Sequence, residues 1–261
     1  MKSPREFRKY HGRHVQTDWH RIQILRHICS RVDGVETISP VRVVTDQQSI
    51  DYEFVELPSD LGKFVTEERL FDSLGRLLTR MHQQPVKADQ ALFAQGPYPL
   101  NDWGLEKEHI EVLERNLPIG WLHCDLWHGN VFWRPKFGFL IIDPLPGRFT
   151  LRQGYVRGCG AIDLASMHMG LLLSHPLHKL MRFDIEHHTR AAEVFIQAYL
   201  DEAGALTPQA LRAVRNLSYR MALRFINSYE GRLAWPVALV KRRRATKILN
   251  RAIFLDASGS K

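Results

Sequence analysis

The sequence predicts an α+β fold, a small mixed N-terminal part followed by a mainly helical part with a strand-bearing cluster in its middle. Three observations predict it. Apolar residues recur at helical spacing from Leu70 to Met81, short apolar runs broken by Gly, Pro and polar residues crowd between Trp121 and Ile142, and helical patterning returns from Ile162. No fixed-period repeat or low-complexity stretch interrupts the chain.

Thr17 or Asp18 is placed to cap a first helix running through Ile22, Ile24, Leu25 and Ile28. Val41 to Val44 and Tyr52 to Val55 read as short strands. The segment Leu57-Pro58-Ser59-Asp60-Leu61-Gly62 breaks the pattern and sets the expected boundary, with residues 1–58 as a reduced N-terminal unit and 59–261 as the larger one. Leu70, Leu74, Leu77, Leu78 and Met81 form an apolar stripe on a helix expected to end near His82 and Pro85. A second helix is expected from Glu106 to Arg115. Trp121 to Cys124, Asn130 to Trp133 and Phe139 to Ile142 read as strands of a hairpin or small sheet carrying loops. Further helices are expected near Ala191 to Ala203, Pro208 to Tyr229 and Val237 to Phe254.

With 44% hydrophobic and 25% charged residues, 17 Gly and 13 Pro, the 261-residue chain is excluded from the disordered, collagenous and disulfide-dense classes. Its length fits one large unit or two small ones and is tight for two complete lobes. The net charge of +8 directs attention to anionic partners: nucleotides, phosphorylated sugars, nucleic acid or an anionic membrane surface. Cys29, Cys124 and Cys159 are odd in number and form no C-x-x-C pair, which argues against a disulfide scaffold or zinc ribbon and for a reducing cytoplasm. The charged start lacks an apolar stretch after it, and runs such as Phe137 to Ile142 are too short to span a bilayer, so neither secretion nor membrane integration is expected.

The chemistry is concentrated in Leu122-His123-Cys124-Asp125-Leu126-Trp127-His128-Gly129-Asn130-Val131 and, after a hairpin, Leu140-Ile141-Ile142-Asp143-Pro144. The pattern is H-x-D-x-x-x-x-N followed by a strand-borne Asp. Phosphoryl transfer needs a carboxylate to orient an attacking hydroxyl and accept its proton, a role suited to Asp125. It also needs hard oxygen ligands for Mg²⁺, which the amide of Asn130 and the carboxylate of Asp143 supply.

These segments resemble the catalytic core of the aminoglycoside phosphotransferase and choline kinase-like family of the protein kinase-like fold. The interval from Asn130 to Asp143 matches that between the family's two metal ligands. Tyr52-Glu53-Phe54-Val55-Glu56 is similar to the hinge strand, Leu74 to His82 to the helix ending in Leu-His, Gly160-Ala161-Ile162-Asp163-Leu164-Ala165 to the motif whose Asp supports the catalytic loop, and Phe195 to Gly204 to a later helix. The resemblance spans about residues 9 to 204. It implies a two-lobed fold with a shortened N-terminal lobe and an ATP- and Mg²⁺-dependent phosphotransferase acting on a hydroxyl of a small molecule or glycan. In it the backbone of Glu53 and Val55 would meet the adenine, Lys9 would hold phosphate, and His123 and Asp163 would support the loop.

The departures from the pattern are specific. No G-x-G-x-x-G precedes the motif, the only strand Lys is Lys9 in Phe7-Arg8-Lys9-Tyr10, the next helix carries Arg21 where a Glu is expected, and Asp143 is followed by Pro144. Either the N-terminal lobe is short or a Gly-rich hairpin precedes residue 9 outside this sequence. Simpler readings stand beside the sharp ones. Asp125, Asn130 and Asp143 could be turn and cap residues, Lys9 a solvated base, Asp163 a buried acceptor, and His123 a structural ring; His128 could touch substrate or face solvent. Cys124 could offer a thiolate. His168, His175, His178, His187 and His188 show no metal-ligand spacing. Lys241-Arg242-Arg243-Arg244 with Lys247 and Arg251 forms a solvated helix face or an anionic-substrate or peripheral membrane patch. The competing functions are a kinase-like binding or regulatory module without catalysis, motivated by the missing loop, and nucleic-acid binding, which no recognisable motif supports. The basic balance favours a neutral or anionic acceptor, such as a sugar, over a cationic one.

Overall fold

In β1 (Glu6–Tyr10) alternate residues take opposite faces, and the two faces do different work. A computed structural model describes residues 6–85, 96–144, 157–173 and 184–228. After β1 come α1 (Val15–Cys29), β2 (Val35–Glu36), β3 (Pro40–Val44) and β4 (Ser49–Glu53). Antiparallel pairing gives a three-stranded sheet of order β1-β4-β3, with Arg8 opposite Asp51 and Lys9 opposite Ile50. On one face Arg8 (2.6 and 2.9 Å) and Arg42 (2.8 Å) clamp the Asp51 carboxylate and hold its pKa down to about 2. On the other face Ile50 and Tyr52 join Val15 and Ile22 of α1, together with Phe132 and Leu140, in a small apolar core.

Two boundaries differ from the sequence reading. The helix starts at Val15, and Asp18 lies inside its first turn, where its carboxylate bonds the His11 ring (3.0 Å) and does not cap the helix. The hinge-side strand ends at Glu53, so Phe54 and Val55 lie beyond it.

The larger part contains α2 (Glu68–His82), α3 (Lys107–Asn116), β5 (Ile119–Trp121), β6 (Val131–Arg134), β7 (Gly138–Ile141), β8 (Arg157–Cys159), α4 (Ala161–Leu173), α5 (Ile185–Glu202) and α6 (Pro208–Ser228). The apolar stripe of α2 is buried as its spacing requires, with Leu74 and Leu78 wholly inside the main core. A second stripe, at i, i+4 and i+7, docks α2 on α5. Gly75 lets the helices approach so closely that a Cβ would meet the Phe195 carbonyl and the Tyr199 N–H (2.9 Å), Thr79 Oγ1 donates to the Tyr199 carbonyl (3.0 Å), and His82 reaches the Tyr199 hydroxyl (2.7 Å). α5 starts earlier than its apolar pattern because Asp184 caps it, accepting from the N–H groups of Glu186 and His187 (3.1 and 3.2 Å).

β6 and β7 form an antiparallel hairpin, and the short β2 adds to β7 in parallel, Val35 beside Phe139. Gly138 (φ 91°) brings the backbone so near the Gly34 carbonyl that no Cβ fits, and the Phe139 N–H donates to that carbonyl (2.9 Å). The strand expected over Trp121 to Cys124 stops at Trp121, because the loop turns through Cys124 in a left-handed conformation (φ 71°). The expected helix Val237 to Phe254, the basic run Lys241 to Arg251, His175 and His178 lie outside the described residues. Among the described residues no helix is long and apolar enough to cross a membrane.

Candidate active site

The β6–β7 hairpin explains the spacing of the motif. Four residues of β6, a tight turn and four residues of β7 return the chain to its start, so the Ile142 N–H donates to the Asn130 carbonyl (3.0 Å) and Asp143 follows at once. Asn130 and Asp143 are thus brought to one edge by strand pairing. Asp143 takes a left-handed backbone (φ 55°), and its Oδ1 accepts an ion pair from Lys9 Nζ at 2.6 Å. Both side chains keep more than a third of their surface open, so the pair is reachable from solvent.

Asp125 is tied to the same edge. Asn130 Nδ2 donates to the Asp125 carbonyl (2.9 Å) and to its Oδ2 (3.3 Å). Burial pushes the Asp125 carboxyl up to about 7; the nearby charge of Asp143 adds to the rise, while the Asn130 hydrogen bond and Lys9 oppose it. A carboxyl so held exchanges a proton near neutrality, the range a general base needs.

His123 locks the loop from beneath. Its Nε2 donates to the Ile142 carbonyl (2.8 Å) and its Nδ1 accepts the Asp125 N–H (3.3 Å), a network that assigns the neutral Nε2–H tautomer. Burial lowers its pKa, which agrees with that form. Asp163, in the first turn of α4, is wholly buried and accepts from the backbone N–H groups of His123 (2.6 Å) and Cys124 (2.9 Å) and from His82 Nε2 (3.1 Å). Three donors and a helix N-terminus satisfy its charge.

Several sequence expectations are relocated. Arg21, found where a helix Glu was sought, is buried beneath the loop and donates to Cys124 Sγ (3.4 Å). The helix acid nearest the site is Asp18, and it engages His11, whose Nε2 meets the Tyr52 hydroxyl (3.0 Å). Cys124 is fully buried with its thiol pushed up to about 12, so it offers no thiolate at neutral pH. His128 neither faces solvent nor opens to a ligand: its ring is buried near Asp60 Oδ1 (3.7 Å), and Gly62 leaves no room beside its Nδ1. His168 bonds Ser218 (2.8 Å) and His187 bonds Asp184 (2.6 Å). Among the described residues no three His, Cys, Asp or Glu side chains form a metal cluster.

Glu53 and Val55 line an open pocket of about 390 Å³ with Arg26, Cys29, Thr37, Arg134 and Leu140. Lys9, Asp125, Asn130 and Asp143 do not line it.

The sequence reading passed over two aromatic residues. Phe7 stacks on Tyr52 (centroids 5.1 Å, 14°) and shares the face of β1 with Lys9, two residues on. Trp127 is half-buried: along Asp125 to Asn130 the chain alternates, with Leu126, His128 and Asn130 inward and Asp125, Trp127 and Gly129 partly open. Its indole lies over Gly129, where a Cβ would collide, and its Cβ packs at Gly170 of α4. Two-residue spacing from Lys9 and from Asp125 was the available signal.

No family model matches the sequence, and no curated protein matches it. Solved structures do. A glucosamine kinase is similar over 92% of this chain and 72% of its own, with 16% identity and a TM-score of 0.58. The choline kinase LicA from Streptococcus pneumoniae is similar over 96% of this chain and 88% of its own, with 13% identity and a TM-score of 0.54. An ADP-bound aminoglycoside phosphotransferase, APH(2'')-Ib, is similar over 94% and 85%, with 14% identity and a TM-score of 0.51. At these identities the likeness is one of fold.

Proposed function

We propose that this chain, which has the protein kinase-like fold of the aminoglycoside phosphotransferases and choline and glucosamine kinases, transfers the γ-phosphoryl group of ATP to a hydroxyl of a small molecule or sugar with Mg²⁺. The observation that carries the reading is the shared edge: Asn130 donating to Asp125 while Lys9 pairs with Asp143 at 2.6 Å. A set of turn residues has no need of a lysine brought in from another sheet.

The donor set fits a hard divalent cation. With its Nδ2 committed to Asp125, Asn130 has its carbonyl Oδ1 to offer, and Asp143 offers a carboxylate that already holds a cationic ammonium. When bound, Mg²⁺ would neutralise phosphate charge and leave the γ-phosphoryl group open to attack. Asp125 orients the acceptor hydroxyl and takes its proton, its raised carboxyl being matched to that task. Lys9 holds phosphate. Phe7, on the same face as Lys9 and backed by Tyr52, covers the base, and the backbone of Glu53 and Val55 reads its edge.

Trp127 supports a ring-shaped acceptor such as a sugar. Like Asp125, two residues before it, Trp127 is partly open, and it would offer an aromatic surface to such a ring. Three cysteines, odd in number and without a C-x-x-C pair, support a reducing, cytoplasmic setting.

The test is nucleotide binding and turnover. A Mg²⁺-dependent thermal shift with ATP, lost in Asp143→Ala, together with ADP release lost in Asp125→Asn, is the expected result. Absence of any shift in the unaltered protein would overturn the enzyme reading in favour of a binding module.

A further inference from the structure

We propose that Tyr199 is a positioning residue for the catalytic loop, acting through His82 on Asp163. The inference rests on the reading of Asp125 as the base but concerns a group in another helix that touches neither substrate nor loop. The chain of contacts is continuous. The Tyr199 hydroxyl meets His82 Nδ1 at 2.7 Å, His82 Nε2 donates to Asp163 Oδ2 at 3.1 Å, and the two Asp163 oxygens accept the N–H groups of His123 (2.6 Å) and Cys124 (2.9 Å). Asp125 is the next residue, and its own N–H is held by the His123 ring.

Each member is buried, so no water competes for these bonds. An imidazole has two edges, and a ring rotated about its bond to Cβ would turn Nε2 away from Asp163. The tyrosine hydroxyl fixes the ring by engaging the other nitrogen. The surrounding chain keeps space for this arrangement. A Cβ on Gly160 would collide with the Tyr199 hydroxyl and fall within 2.5 Å of His82 Nδ1, and one on Gly120 would collide with the His82 carbonyl. The tyrosine is also held along its backbone, by Thr79 on its carbonyl.

The loop needs such support because Cys124 occupies a left-handed conformation that a non-glycine residue disfavours. The N–H groups that Asp163 accepts are those of Cys124 itself and of the residue before it. Loosening the imidazole frees the Asp163 carboxylate to shift, the Cys124 turn relaxes, and the Asp125 carboxylate leaves its line with Asn130.

The experiment is Tyr199→Phe in the full chain, which deletes one oxygen and keeps the ring in the core. Amide hydrogen exchange is followed by NMR at His123 and Cys124 and, as a reference, at Leu74 and Phe195. The expected result is exchange at least about tenfold faster at His123 and Cys124 with the reference amides unchanged. In ATP turnover with water as acceptor, kcat falls about tenfold and KM for ATP stays within about twofold. Unchanged exchange at His123 and Cys124 overturns the proposal. So does an equal rise at all four amides, because that reports global loosening. If Tyr199→Phe does not fold, His82→Gln is measured in the same way, with the same outcomes deciding. A protein that binds no ATP defeats the proposed function while the exchange measurement still decides the role of Tyr199.

Discussion

Lys9 and Asp143, 134 residues apart in sequence, meet at 2.6 Å, joining the three-stranded sheet to the edge of the β6–β7 hairpin. The lysine therefore holds the carboxylate proposed to bind metal, and phosphate would compete for the same ammonium. Lys9→Met is expected to raise the Kd for ATP at least about tenfold in the presence of Mg²⁺, read by thermal shift. An unchanged affinity would make Lys9 an ordinary surface base.

As the proposed base, Asp125 would set a pH dependence. Its carboxyl is held near 7, chiefly by burial, and a base works deprotonated, so kcat/KM for ATP turnover is expected to rise with pH through about 7. An ordinary carboxylate would have finished titrating near pH 5. In Asp125→Asn the rate should drop by about 10²- to 10⁴-fold while Mg²⁺-dependent ATP binding persists. A limb that stays near pH 4 would contradict the assigned environment.

Trp127, as the proposed acceptor contact, can be told apart from the nucleotide site by kinetics. With an acceptor found by screening hexoses, hexosamines and choline for stimulated ADP release, Trp127→Ala is expected to raise the acceptor KM at least about tenfold and to leave slow hydrolysis of ATP within about twofold. Equal losses in both reactions would place the indole in the loop's structure and not in acceptor binding.

Glu193 tests the helical core. It accepts from Arg215 (3.2 and 2.7 Å) and stands 3.6 Å from His168, and all three side chains are at most 15% exposed. Burial, the largest influence, pushes its carboxyl up, but the nearby His168 ring and the Arg215 guanidinium together bring it down to about 2. A lowered pKa contributes stability that is present above the unfolded value of about 4.5 and is lost as pH falls towards 2. Glu193→Gln leaves Arg215 in a buried setting and is expected to destabilise the fold by about 3 kcal/mol at pH 7, with the difference shrinking in acid. Urea denaturation at pH 7 and pH 3 reads both values.

The parts legible in the sequence were those set by local pattern. The stripe from Leu70 to Met81 fixed α2, and the spacing from Asn130 to Asp143 encoded a hairpin of defined length. Strand ends were less legible, because Tyr52 to Val55 is apolar enough to read as strand while register with β1 ends at Glu53. Long-range partners were not legible at all. That Asp18 would bond His11, that Arg21 would lie under Cys124, or that Lys9 would find Asp143 depends on how α1 lies across the sheet, which no periodicity states. His82 and Tyr199 stood within segments that resembled family helices, yet only the Gly75-Thr79-His82 face shows that the two helices touch there.

β2 precedes the small sheet's central strand in sequence but pairs with β7 of the β6–β7 hairpin, and Arg134 reaches back to Glu36 at 2.8 Å. Besides the side-chain contacts, the backbone joins the N-terminal sheet to this hairpin in two places, the covalent passage after Glu53 and the seam at Gly34 to Glu36. Two tethers define an axis, so bending there is expected to swing Lys9 towards or away from Asp143 without sliding the sheet sideways. Exchange of the Phe139 amide should then stay equally slow with and without Mg²⁺ and ATP, and faster exchange on binding would show the seam to open.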